Sequence, residues 1–281
     1  MARTEQPQSD LFSTIDLDRL VANFGPENAK LLEACRTDGV FYLDFRNYAA
    51  TRHIGQQTES IYAVSDRYFE QPLGVKMQDL RANQPVSSDR GFKLYDFEET
   101  FEISHDEMQQ GTLQLSGPLA ENEPLLNEFH SHCHAASHLI LLRLEELLNL
   151  PLRSSHRPGE PSETSLKLVA EPSFPTISDV PETKHTDSGT LTFVFYDKWS
   201  LQTHLAHKGP ESVEENWAFI PPPVPGCVVV HVANTLQRLS KNQLRSPIHR
   251  TNQPKDGAEK RYILTYFLRP EEAAKNQAMA A

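Results

Sequence analysis

Hydrophobic positions along the chain fall into two regimes. The first is helical. Across residues 124–150, Leu125, Leu126, Phe129, Cys133, Ala136, Ile140, Leu144, Leu147 and Leu148 recur at spacings of three and four, the period of one helix face. Pro151 cannot continue such a helix. Shorter helical patterns occupy 28–36, ending before Gly39, and 51–70, with a strand-like apolar run at 40–45 between them. Turn formers dominate 84–90, and 153–164 is polar and proline-containing, so both read as loops. The second regime starts at Ser165, where short apolar runs alternate with Pro, Gly, Asn and Lys in the manner of a sandwich or jelly roll. The first ten residues and 271–281 read as tails. The chain therefore divides into an N-terminal helix and strand portion (1–110), a long helix with its connecting loop (111–164), a jelly-roll core (165–270) and a tail (271–281), all within a single structural unit.

Composition narrows the partners. At 281 residues the chain is long enough to bury one sizeable core. Its formal charge of −11 argues against nucleic acid or an anionic membrane as the main partner, since both select basic surfaces. No apolar run approaches the roughly 20 residues that span a bilayer, and the polar start lacks an apolar signal region. Three cysteines, Cys35, Cys133 and Cys227, have no close-spaced partners and read as reduced thiols. The cytosol is the expected location. Nothing in the sequence specifies an oligomeric state.

The chemistry concentrates at His185-Thr186-Asp187. On a strand, positions two apart point to the same side, so an imidazole and a carboxylate there can reach one metal ion. Rival histidine groups exist. His130, His134 and His138 align on one face of the long helix beside His132, but no acidic partner accompanies them, so they read as a solvated or boundary face. His204 and His207 read as polar-loop residues, His105 as part of an acidic loop, and His231 as a barrel-wall residue.

Several segments carry a resemblance to a known family. These are Ser13-Thr-Ile-Asp-Leu17, Ala34-Cys-Arg-Thr-Asp-Gly-Val-Phe-Tyr-Leu43, Arg90-Gly-Phe-Lys93 with Glu99-Thr-Phe-Glu-Ile103, His185-Thr-Asp187, Trp217 to His231, Arg245-Ser-Pro-Ile-His249-Arg250 and Arg261 to Pro270. In this order and spacing they resemble the isopenicillin N synthase-like Fe(II)/2-oxoglutarate-dependent oxygenases, most closely members from fungal secondary metabolism. The resemblance implies an α+β fold with a double-stranded β-helix core. It implies that His185, Asp187 and His249 bind Fe(II), a set of two imidazoles and one carboxylate that leaves one face of the ion open for O₂. Arg250 then reads as a supporting residue.

The same resemblance places Arg261 on the distal carboxylate of 2-oxoglutarate, where a guanidinium forks onto two oxygens. Two usual partners differ here. The family's serine, two positions on, is Ile263, and a tyrosine that commonly precedes a strand-ending proline is Glu171. The missing hydroxyl is then replaced by Thr265, Tyr262 or another group. The departures keep open a 2-oxoglutarate-independent oxidase or cyclase, and a non-catalytic binding module of the same fold. The implied reaction is hydroxylation, desaturation or ring formation on a small organic molecule. Candidate pocket residues are Lys93, Tyr95, Phe97, Phe101, Lys167, Phe193, Gln202 and Phe267.

Overall fold

The computed structural model describes residues 11–82, 84, 89–172, 183–253 and 258–272. The tails read from the sequence lie mostly outside these residues, as does most of the 84–90 loop.

The described strands are β1 (Thr14–Asp16), β2 (Val40–Asp44), β3 (Gly91–Leu94), β4 (Glu99–Ser104), β5 (Ser165–Pro172), β6 (Leu191–Tyr196), β7 (Leu201–His204), β8 (Trp217–Phe219), β9 (Cys227–Val232), β10 (His249–Thr251) and β11 (Lys260–Leu268). The α-helices are α1 (Leu17–Val21), α2 (Gly25–Thr37), α3 (Ile54–Phe69), α4 (Leu73–Lys76), α5 (His105–Gln110), α6 (Gly117–Glu121), α7 (Glu123–Leu148) and α8 (Asn234–Leu239). One sheet runs β1-β2-β9-β6-β11-β5-β4-β3 and a smaller one runs β10-β7-β8.

The large sheet has two apolar faces because its central strands alternate between two cores. On β6 and β11, Leu191, Phe193, Phe195, Leu264, Tyr266 and Leu268 face the helices. Val194, Tyr196 and Ile263 face the small sheet with Tyr42, Val229, Leu201 and Ile220. A strand covered on both faces reads as a continuous apolar run, and β9 (CVVVHV) is buried throughout.

Helix α7 supplies the cover on the helical side. Pro124 sits in its first turn, where no backbone donor is lost. Asn149 ends it in the left-handed conformation (φ 52°), two residues before Pro151. Phe129 packs on Phe195 with ring centroids 4.9 Å apart.

The helix's histidines form the boundary rather than the solvated face of those two expectations, with His130 buried outright. His130 is 1% exposed and stacks on His105 (5.0 Å), while His134 lies 4.3 Å from His105 and accepts or donates a 2.8 Å hydrogen bond with the Tyr266 hydroxyl. His138 continues the row, 4.5 Å from His134 and 6.3 Å from His156. Neutral imidazoles pack as flat, half-polar rings, so this column joins helix to sheet. Burial, followed by neighbouring imidazoles, pushes His134 down to about 3 and His156 down to about 4. His105 is the first residue of α5 rather than part of a loop. His204 is also buried; it ends β7, bonds the Gly209 carbonyl at 2.8 Å and packs on Trp217.

Candidate metal centre

The segment leading into β6 is fixed by its backbone. His185 and His249 form a cross-strand pair with reciprocal amide bonds, His185 N to His249 O at 3.0 Å and His249 N to His185 O at 2.9 Å. The Asn234 amide donates to Asp187 O at 2.8 Å, and its side chain donates to Thr186 Oγ1 at 2.9 Å. Gly189 lies against β11, where a Cβ would meet Leu268 O at 2.8 Å; glycine alone admits that approach.

The three side chains converge. Nε2 of His185 and of His249 lie 3.8 and 3.7 Å from Asp187 Oδ1, too far for hydrogen bonds. One ligand atom from each residue lies within 4.8 Å of the other two. Each imidazole also has Nδ1 against a backbone carbonyl, Thr183 O at 2.5 Å for His185 and Pro247 O at 3.3 Å for His249. Donation from Nδ1 leaves the Nε2 lone pairs directed at the shared space, the arrangement of a metal-ligating histidine. Among the described residues no other trio of His, Cys, Asp or Glu side chains meets this spacing.

The polar atoms here lack protein partners. Asp187 Oδ2 is buried without a hydrogen bond, as are both ring nitrogens of His231. His231 is fully buried on β9, with Nδ1 3.6 Å from Asp187 Oδ2 and its ring 4.5 Å from that of His249. Burial works against ionising Asp187, but His249, His231 and Thr192 more than offset it and hold its carboxyl well below the usual range. Burial, with His231 next, pushes His249 down to about 3, so its imidazole stands neutral. A carboxylate and two imidazoles whose ligand atoms converge within 4.8 Å without hydrogen-bonding one another fit a divalent cation.

Beyond the trio extends a cavity of about 280 Å³ between the sheets. Strand alternation lines it with Lys167, Val169 and Glu171 from β5, Thr192 and Val194 from β6, and Ile263, Thr265 and Phe267 from β11. Arg261 belongs to the same face of β11 and is 2% exposed. Its Nε donates to Trp199 O at 3.1 Å and its Nη1 to Gln253 Oε1 at 3.4 Å. A larger cavity, about 580 Å³, opens on the helical side beside His105, His134 and His156, so size alone does not single out the metal trio.

Lys167, Phe97 and Phe267 line the smaller cavity as expected. The remaining pocket candidates are corrected. Phe193 faces the helical core, 5.7 Å from Tyr266, because it alternates with the cavity-facing Thr192 and Val194. Phe101 packs against Tyr68 at 5.2 Å in the same core. Gln202 turns away to accept from Arg250 Nε at 2.8 Å and Asn252 Nδ2 at 2.9 Å. Lys93 lies on β3 outside the cavity lining, and Tyr95 borders a neighbouring groove with Leu94 and Tyr262. Arg250 has a supporting role: it bonds Gln202 and Glu214 and lies 4.3 Å over the Trp217 ring.

Comparison with known proteins settles the family. Residues 169–270 match the 2OG-Fe(II) oxygenase superfamily. The 2-oxoglutarate-dependent dioxygenase frbH of Dothideomycetidae sp. (strain 11243) is 33% identical over 99% of this chain and 88% of its own length. This chain belongs to the 2OG-Fe(II) oxygenase superfamily. Its cofactors are accordingly Fe(II), 2-oxoglutarate and O₂, and the chain is an oxidoreductase. The dioxygenase gloE of Glarea lozoyensis is 32% identical over 96% of this chain and 83% of its own length. In fold, the chain matches a Neurospora crassa protein solved in complex with alpha-KG and 5-formyluracil, at a TM-score of 0.75 and 20% identity, covering 96% of this chain and 88% of that one. No described helix is long and apolar enough to cross a membrane.

Proposed function

We propose that this oxygenase oxidises a small organic molecule in natural-product biosynthesis by hydroxylation, desaturation or ring formation, with iron held by His185, Asp187 and His249. The carrying observation is the convergence of three ligand atoms within 4.8 Å on the wall of a cavity between the sheets. The relatives named as 2-oxoglutarate-dependent dioxygenases, frbH and gloE, support the reaction class. The two sheets enclosing the cavity support a double-stranded β-helix core. The protein is expected to work in the cytosol.

Iron supplies the oxidising chemistry when bound, and the chain's own residues organise the reactants. His185 and His249 keep Nδ1 on backbone carbonyls, so Nε2 remains the ligand atom. Arg261 binds the distal carboxylate of 2-oxoglutarate from the far end of the cavity. Val169, Val194, Ile263 and Phe267 exclude water from the intervening space. Lys167, ion-paired with Asp89 at 3.6 Å, and Phe97 border the volume left for substrate.

The test is an anaerobic titration of iron-loaded protein with 2-oxoglutarate, following the visible charge-transfer band, repeated with Arg261→Ala. Losing one charge-assisted bond of roughly 1.5–3 kcal/mol weakens binding about 10- to 150-fold. An unchanged Kd in the variant removes Arg261 from the co-substrate site.

A further inference from the structure

The hydroxyl that usually accompanies the co-substrate arginine is missing at Ile263, and the structure narrows what replaces it. Tyr262 lies on the opposite face of β11, where its hydroxyl donates to Asp66 Oδ1 at 2.5 Å. Thr265 shares the cavity face but stands roughly 13 Å along the strand from Arg261, opposite Lys167. Glu171 is directly opposite Arg261 in the β5–β11 register and is 5% exposed. Gln253 bridges the two: its Nε2 donates to Glu171 Oε2 at 3.4 Å, and its Oε1 accepts from Arg261 Nη1 at 3.4 Å.

We infer that Glu171 acts as a neutral carboxylic acid in the co-substrate subsite, donating its O–H to the distal carboxylate of 2-oxoglutarate beside Arg261, with Gln253 positioning both. This rests on the 2-oxoglutarate-binding role proposed for Arg261. An ionised Glu171 would set a third negative charge against a dianion in a buried space, whereas the acid form offers the missing donor.

The surroundings favour the acid. Burial, with Glu98 next, raises Glu171 to about 7 against the opposing effects of Gln253 and Arg261. Glu98 faces it from the segment before β4 and is itself raised, mainly by burial. Lys167, two same-face positions away, is engaged by Asp89. Lys260, beside Arg261, pairs with Glu70. His185, Asp187 and His249 line the same cavity, and His185 acts on Glu98.

The experiment measures the Kd of 2-oxoglutarate for the iron-loaded full chain, by the charge-transfer band and by calorimetry, at pH 6 and pH 8. The proteins are wild type, Glu171→Gln and Glu171→Leu. If only the acid binds, wild-type Kd rises about tenfold between these pH values, as the competent fraction falls. Glu171→Gln, which keeps a neutral donor, binds with little pH dependence and more tightly than wild type at pH 8. Glu171→Leu, which has no donor, binds weakly and evenly at both. A wild type and Glu171→Gln with the same pH dependence overturn the inference while leaving the 2-oxoglutarate reading intact. So does a Glu171→Leu that binds as tightly as wild type at pH 6. No binding by any protein at either pH, with iron retained, overturns both together.

Discussion

His185 and His249 offer a way to separate a metal-binding role from a structural one, because the same side chain occupies opposite environments. His185 is 52% exposed in its side chain and His249 only 7%. The His249 ring packs 4.3 Å from His185 and 4.5 Å from His231. His249→Ala therefore opens a buried void and is expected to cost about 2–4 kcal/mol in the metal-free protein. His185→Ala, at the rim, should stay within about 0.5 kcal/mol. At roughly 2 °C per kcal/mol for a chain of this size, the metal-free melting temperature falls by about 4–8 °C for His249→Ala and about 1 °C for His185→Ala. Metal binding acts on top of this. Mn(II), a redox-stable probe, at 100 times its Kd stabilises the native state by about 2.7 kcal/mol, or roughly 5 °C. Each variant leaves two of three ligands and should lose nearly all of that increment. Thermal melts with and without Mn(II), paired with metal content by mass spectrometry, read both quantities. A His185→Ala protein that keeps the full increment refutes the ligand assignment. A metal-free His249→Ala protein that melts with wild type refutes the packing argument.

Phe193→Ala should cost about 3–5 kcal/mol, since the ring is fully buried between Phe45 and Tyr266; urea unfolding checks this, and a loss below about 1 kcal/mol would mean the sheet face is misassigned. Acid should destabilise the fold through the histidine column: unfolded imidazoles take up protons near pH 6.5, whereas His134 and His156 do so only near 3 and 4. The unfolded chain therefore binds more protons across that window, so stability is complete above it and falls with pH, by up to about 1.4 kcal/mol per unit for each histidine. The urea midpoint of His134→Gln/His156→Gln should drop less than that of wild type between pH 7 and pH 5, and equal drops would contradict the sign.

The parts legible in the sequence were those governed by local periodicity. The three-and-four spacing of α7 and the short apolar runs that become β6 and β11 depend on neighbours in the chain, so reading and structure agree there. His185 and Asp187 stand out in the sequence for the same local reason, two positions apart just before an apolar run; the structure gives His185 an isolated bridge to His249 and starts β6 only at Leu191. Register across strands was not. Phe193 reads as pocket wall because it follows His185-Thr-Asp187, yet a single step in a period of two carries it to the opposite face from Thr192. His231 was hidden inside an apolar run whose composition signals only burial. Its sole clue was parity with Val229 against the core-facing Val228 and Val230. Glu171 is the sharpest case. In one dimension it is a carboxylate where a tyrosine is common, and reads as repulsive to a dianion. Its pairing with Arg261, its bridge through Gln253 and its burial come from residues far along the chain. Those contacts decide its charge, and its charge decides whether the departure weakens the co-substrate site or completes it.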